Sequence, residues 1–211
     1  MTVGFRHSKL ASRDSILGGR SCQRRLLRLP LWLVVLGLTL GSVEARALNP
    51  SLPEYRVKAA FLFHFLQFVE WPANAFPDET SPITLCILGD DPFGPVLDQT
   101  VGDKTVGNRR IVIRRCQRIE DAGSCHLLFV SRSEIERLPQ ILARQQGVSS
   151  LTVGETDQFV QLCGIINFTV EEGQVRFEIN PNAAQRAGVR ISSRLLRLAK
   201  VVRTECPGPR Q

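Results

Sequence analysis

Apolar residues along this chain fall into two rhythms, a helical one before residue 80 and a sheet-like one after it. Residues 53–70 (PEYRVKAAFLFHFLQFVE) predict a helix, with Pro53 and Glu54 suited to its first turn and Pro72 to its end. At about 100° per residue, Val57, Phe61, Phe65 and Phe68 form one apolar stripe. Tyr55, Ala59, Leu62, Leu66 and Val69 form a second, about 120° round. A surface helix ordinarily has one such stripe; here about two-thirds of the circumference is apolar. One side can cover a sheet, and the other needs a cover of its own. Either a neighbouring helix supplies it, such as the last one, or the face meets a second copy or a partner. Phe61, Phe65, Phe68 and Trp71 are the candidate contact residues.

From residue 83 the pattern shortens. ITLCIL (83–88) is apolar throughout, as buried parallel strands are. Gly89-Asp90-Asp91-Pro92 ends it and opens a short helix reaching about residue 101. Gly107-Asn108 turns the chain into an alternating strand, RIVIRR (110–115). HLLFV (126–130) is a third strand, followed by a helix at 134–146 for which Ser131 or Ser133 is the cap. Leu151-Thr152-Val153 is a short strand closed by Gly154. IINFTV (165–170) and QVRFEI (174–179) flank Glu171-Glu172-Gly173 and read as an antiparallel hairpin. Pro181 opens a short helix, and Ser192 caps a last helix over 193–203 that buries Leu195, Leu198, Ala199 and Val202. Strands alternating with helices imply a mostly parallel sheet. The expected fold is an α/β three-layer sandwich of Rossmann-like type with a C-terminal antiparallel hairpin.

Charge changes this picture only at one end. The 211 residues carry 27 Lys+Arg against 20 Asp+Glu, a net +7. Residues 1–47 hold eight of the bases (Arg6, Lys9, Arg13, Arg20, Arg24, Arg25, Arg28, Arg46) and two of the acids (Asp14, Glu44). The remainder is nearly neutral and has no long-range field to attract nucleic acid. Arg24, Arg25 and Arg28 precede the apolar run 31–40, and Ala45-Arg46-Ala47 follows, the layout of a cleaved secretory signal over residues 1–47. The run has about half the length a membrane span needs. Residues 48–211 then form a single domain in the periplasm or outside the cell, where disulfides persist.

That domain carries Cys86, Cys116, Cys125, Cys163 and Cys206, an odd number without any C-x-x-C. If the strands at 83–88 and 126–130 are neighbours, Cys86 and Cys125 fall within about 6 Å, the Cα separation a disulfide needs. Cys116 with Cys125 or Cys163 is the rival pairing. Candidate chemistry is sparse. No phosphate-binding glycine loop, nucleophile elbow, or Cys/His cluster at metal-ligand spacing is present. Catalytic residues, metal and cofactor are therefore all expected to be absent. Asn180 and Arg190 are candidates for binding an anionic small ligand.

The segments KAAFLFHFLQFVEWP, CILGDDPFG, CHLLFVS and FEINPNAAQRAGVRISSRLLRLAKVV resemble the YfiR-like family of exported regulatory proteins, over about residues 54–202. The resemblance implies a periplasmic, dimerising α/β domain that is not an enzyme. It implies a partner in the periplasmic sensor domain of an inner-membrane diguanylate cyclase, which is held inactive so that cyclic-di-GMP stays low. A sensor kinase is the other partner type. The family's disulfide between first strand and strand-opening cysteine carries over to Cys86 and Cys125. A second, closely spaced family disulfide near the hairpin does not, because only Cys163 is here. The runner-up reading is a periplasmic small-molecule binding protein with no fixed protein partner.

Overall fold

Helix α1, Ser51–Phe68, opens the part of the chain that the structure, a computed structural model, describes: residues 51–206 apart from residue 124. The leader read at 1–47 lies outside those residues. The α1 face made by Ala59, Leu62, Phe65, Leu66 and Val69 is buried against the sheet and its neighbours. The helix packs against α2 (Pro95–Val101) most extensively and touches the short α5 (Ser193–Leu196). A neighbouring helix thus covers part of α1, and it is α2 more than the last helix.

The main sheet has eight strands in the order β10-β8-β7-β6-β5-β2-β4-β3. These are β2 (Ile83–Leu88), β3 (Thr105–Val106), β4 (Arg109–Cys116), β5 (Leu127–Val130), β6 (Leu151–Gly154), β7 (Ile166–Glu171), β8 (Gln174–Ile179) and β10 (Lys200–Val201). From β4 through β7 every neighbouring pair is parallel; the β3–β4 and β7–β8 pairs are antiparallel. A separate antiparallel pair joins β1 (Val69–Glu70) to β9 (Arg190–Ile191). Alternate residues of the central strands serve two cores. Leu85, Ile87, Leu127 and Phe129 point into the core under α1. Cys86, Leu88, Leu128 and Val130 meet Leu138, Ile141 and Leu142 of α3 (Leu138–Arg144) on the other face. A period-2 strand buried on both faces is apolar at every position, which is why β2 and β5 read as unbroken apolar runs.

The hairpin forms where its sequence places it. Glu172 and Gly173 form the two-residue turn, with φ of 51° and 74°. Both lie in the left-handed region that hairpin turns of this twist require. Close approach accounts for Gly154 and Gly164 too. A Cβ on either would fall within 2.2 Å of the Phe159 ring, which is wedged between them.

Two predicted helices differ. The segment at 134–146 begins as a 3-10 turn, Arg132–Arg137, and becomes α-helical only at Leu138. Pro139 brings no N–H to the preceding turns. Ser131, not Ser133, caps it, and the Ser133 hydroxyl instead accepts from the Asp90 N–H at 2.9 Å. The last helix stops at Leu196, and Lys200–Val201 is an edge strand parallel to β8. Leu198, expected in the core, is 71% exposed. Paired β-branched residues at 201–202 favour an extended chain. Val202 N–H reaches the Ile179 carbonyl at 2.8 Å, and Lys200 Nζ reaches Glu178 Oε1 at 2.7 Å.

Candidate interaction surface

The four aromatic residues proposed for contact divide by depth. Phe65 has no exposed surface and packs on Phe168 and Phe177, with ring centroids 5.6 and 5.2 Å away. It belongs to the core, and no partner can touch it while the domain is folded. Phe61 is half-buried against the same two rings. Phe68 is half-buried. Trp71 is also half-buried, and its Nε1–H donates to the His126 carbonyl at 2.9 Å. Helical angle grouped Phe61, Phe65 and Phe68 on one stripe; the β7–β8 hairpin beneath α1 takes up Phe65 wholly and Phe61 in part.

Asn180 and Arg190 are not brought together at a ligand site. Asn180 is fully buried, and its side-chain oxygen accepts from the N–H groups of Asn182 and Ala183, capping α4 (Pro181–Arg186). Its amide donates to the Val160 carbonyl at 3.1 Å. Arg190 is exposed and faces Glu70 at 3.8 Å. An asparagine without exposed surface cannot line a pocket beside it. Asp91, at the end of β2, is likewise structural: it accepts from the Phe93 N–H and pairs with Arg115, which also holds Asp98. That pairing draws the Asp98 carboxyl below its usual range.

A buried charge cluster escaped the sequence reading. Lys58, on α1, is 2% exposed; its Nζ pairs with Glu155 Oε2 at 2.6 Å and with Glu54 one turn away. Tyr55 donates its hydroxyl to Glu155 at 3.1 Å, and burial, reinforced by the Glu155 charge, raises the phenol pKa. A lysine in an apolar stripe gives no sign of its partner, because Glu155 lies 97 residues away.

Cys86 and Cys125 are joined by a disulfide, with Cα atoms 5.8 Å apart across the neighbouring β2 and β5. Cys163 and Cys206 form a second, with Cα atoms 5.7 Å apart. The rival pairing of Cys116 with Cys125 or Cys163 is not formed, and Cys163, which has no closely spaced partner, bonds a cysteine 43 residues on. Cys116 is free and buried, and burial pushes its thiol pKa up. The two bonds fit an oxidising compartment. Among the described residues no helix is long and apolar enough to cross a membrane, and no acid–His–Cys group has the makings of a metal site.

Two of the concave features among the described residues bear on binding. A groove of about 550 Å³ opens between the start of α1 and the hairpin tip, with Val57 and Val170 44% and 52% exposed along it. A smaller cavity of about 130 Å³ lies against Cys163–Cys206. The Ser150 hydroxyl and Gln145 Oε1 on its wall have no hydrogen-bond partner among the described residues.

Among solved structures, similarity is low. A "conserved domain protein" from Vibrio cholerae aligns at 10% identity and a TM-score of 0.48, over 70% of this chain and 59% of its own. The "ABC domain in complex with L-Trp" from Streptococcus pneumonia aligns at 11% identity and 0.43, over 56% of this chain and 55% of its own. The chain thus spans under two-thirds of the length of either. No curated protein matches it. The YfiR/HmsC-like family model, however, matches residues 55–200, from the second turn of α1 to the edge strand β10. The chain belongs to the YfiR/HmsC-like family.

Proposed function

We propose that this protein is a non-enzymatic periplasmic regulator. It binds the extracytoplasmic domain of an inner-membrane signalling protein, a diguanylate cyclase in the first place and a sensor kinase in the second. It holds that partner inactive and so lowers cyclic-di-GMP. It reaches the periplasm through the leader at 1–47 and works as a homodimer. The observation that carries this reading is the family match over nearly the whole domain, 55–200. The two disulfides support an oxidising location. A partner can move an enzyme between two states only by binding one more tightly than the other. The expected complex is therefore with the inactive state. Chemical crosslinking in intact cells, followed by pull-down from solubilised membranes and mass spectrometry, tests it. A membrane protein with an extracytoplasmic domain and a cytoplasmic signalling domain is the expected product; recovery of cytosolic proteins alone would refute the reading.

The cavity beside Cys163–Cys206, with its two unpartnered polar atoms, favours one second reading, a small-molecule binding protein without a fixed partner. A large thermal shift with a metabolite library, with no membrane protein recovered, would favour that reading over the first.

A further inference from the structure

Helix α3 and the turn after it, strand β6 and helix α4 each lend walls to the cavity of about 130 Å³ beside Cys163–Cys206. Small residues leave the space open. Ala183 and Ala187, four positions apart, present only methyl groups to it, and Gly147, at a φ of 77°, turns the chain past it with no side chain. Leu142 and Ile165 add apolar surface. Two oxygens break that surface. Ser150 is 1% exposed, and neither its hydroxyl nor Gln145 Oε1 has a hydrogen-bond partner among the described residues. Buried oxygens without partners are rare and costly, so the space calls for an occupant that brings hydrogen bonds.

Size, polarity and charge narrow that occupant. An apolar cavity of about 150 Å³ accepts a benzene-sized molecule, so this one holds about six to eight non-hydrogen atoms. Water filling it needs about two to four polar partners per molecule, and Leu142, Ile165, Ala183 and Ala187 supply none. A carboxylate would meet Gln145 Oε1 oxygen to oxygen, since both only accept. Arg186 is the only charged side chain lining the cavity among the described residues, and it is already engaged in an interaction of its own. An ammonium would leave water for apolar walls. A hydroxyl both donates and accepts, and so suits Gln145 Oε1 and the Ser150 hydroxyl alike. We propose that the cavity beside Cys163–Cys206 binds a neutral, apolar molecule of this size that carries a hydroxyl, a simple phenol or short alcohol in kind. This rests on the small-ligand half of the second reading above, not on its lack of a fixed protein partner, and names the ligand class which that reading leaves open.

The test titrates the exported, oxidised protein with phenol, with toluene (a methyl in place of the hydroxyl) and with benzoate, following methyl resonances by NMR. Phenol is expected to shift the signals of Leu142, Ile165, Ala183 and Ala187 saturably and to leave exposed Ile135 unmoved. Ser150→Ala is expected to weaken phenol about tenfold and to leave toluene unchanged. Ala187→Leu, which fills the space, is expected to abolish the shifts from both; Ser150→Ala only removes an atom, so the test survives if Ala187→Leu fails to fold. Equal loss for phenol and toluene in Ser150→Ala, or loss for neither, would overturn the proposal. Benzoate binding in place of phenol would overturn the ligand class while leaving the small-molecule reading standing. No shift at these residues with any of the three would mean a cavity filled by water only and would end the proposal; the small-molecule reading falls with it only if the metabolite library also gives no thermal shift.

Discussion

His126 sits in a cage that accepts only its neutral ring. Nδ1 accepts from the Thr84 N–H at 3.0 Å, and Nε2–H donates to the Ala75 carbonyl at 3.0 Å. Phe76 stacks on it at 4.3 Å. Burial holds its pKa below the ordinary histidine value, and a proton on Nδ1 would face an N–H. The unfolded chain therefore takes up that proton first. Stability is full above about pH 6.5 and is lost progressively as pH falls toward and through the lower folded value. The urea midpoint is expected to drop between about pH 7 and pH 5, and to drop less in His126→Gln. Equal slopes in the two proteins would refute this cage. Phe65 makes the second residue-scale case. Truncating a fully buried ring should cost about 3–5 kcal/mol, so Phe65→Ala should unfold at markedly lower urea than Phe68→Ala, whose side chain is half exposed. Similar losses in both would contradict the assignment of Phe65 to the core. Helical angle, readable from spacing, put Phe61, Phe65 and Phe68 on one stripe, with Trp71 at the helix end. Which neighbour lies above each residue depends on residues a hundred positions on, and spacing carries no record of that.

Among elements, α1 is anchored to the sheet by a charge as well as by grease. Lys58→Met would leave the Glu155 carboxylate buried without its ammonium partner, a loss of about 3–5 kcal/mol. Adding Glu155→Leu removes the stranded charge. The double variant is therefore expected to be more stable than Lys58→Met alone in urea unfolding, and a further loss would contradict a coupled pair. The hairpin was legible because a charged turn with glycine separates two alternating runs and little else fits that pattern. The last helix was misread for the converse reason. Leu195, Leu198, Ala199 and Val202 fit a helical period, but a four-residue helix followed by a strand spaces its apolar residues in the same way. Extended residues 200–202 gain β8 hydrogen bonds that no window on residues 193–203 alone can register. The groove at the hairpin tip was illegible too, because it arises between two elements rather than within either.

For the molecule as a whole, the disulfides tie distant parts of the chain. Cys86–Cys125 closes an interval of 39 residues across the sheet centre, and Cys163–Cys206 fastens the segment after β10 beneath Asn180 and α4. Replacing Cys86 and Cys125 by alanine should cost about 3–4 kcal/mol, measured by urea unfolding under non-reducing conditions. A loss below about 1 kcal/mol would mean the bond does little for the fold. The family was legible in short segments, since a handful of motifs are local features. The partner was not, because recognition depends on another molecule's surface. The most direct measurement of the central claim is cyclic-di-GMP in cells lacking the protein. Deletion is expected to raise it, with return to the starting level when the exported protein is restored and no return with a version lacking residues 1–47. An unchanged level after deletion, or rescue by the version that stays in the cytosol, would contradict the account.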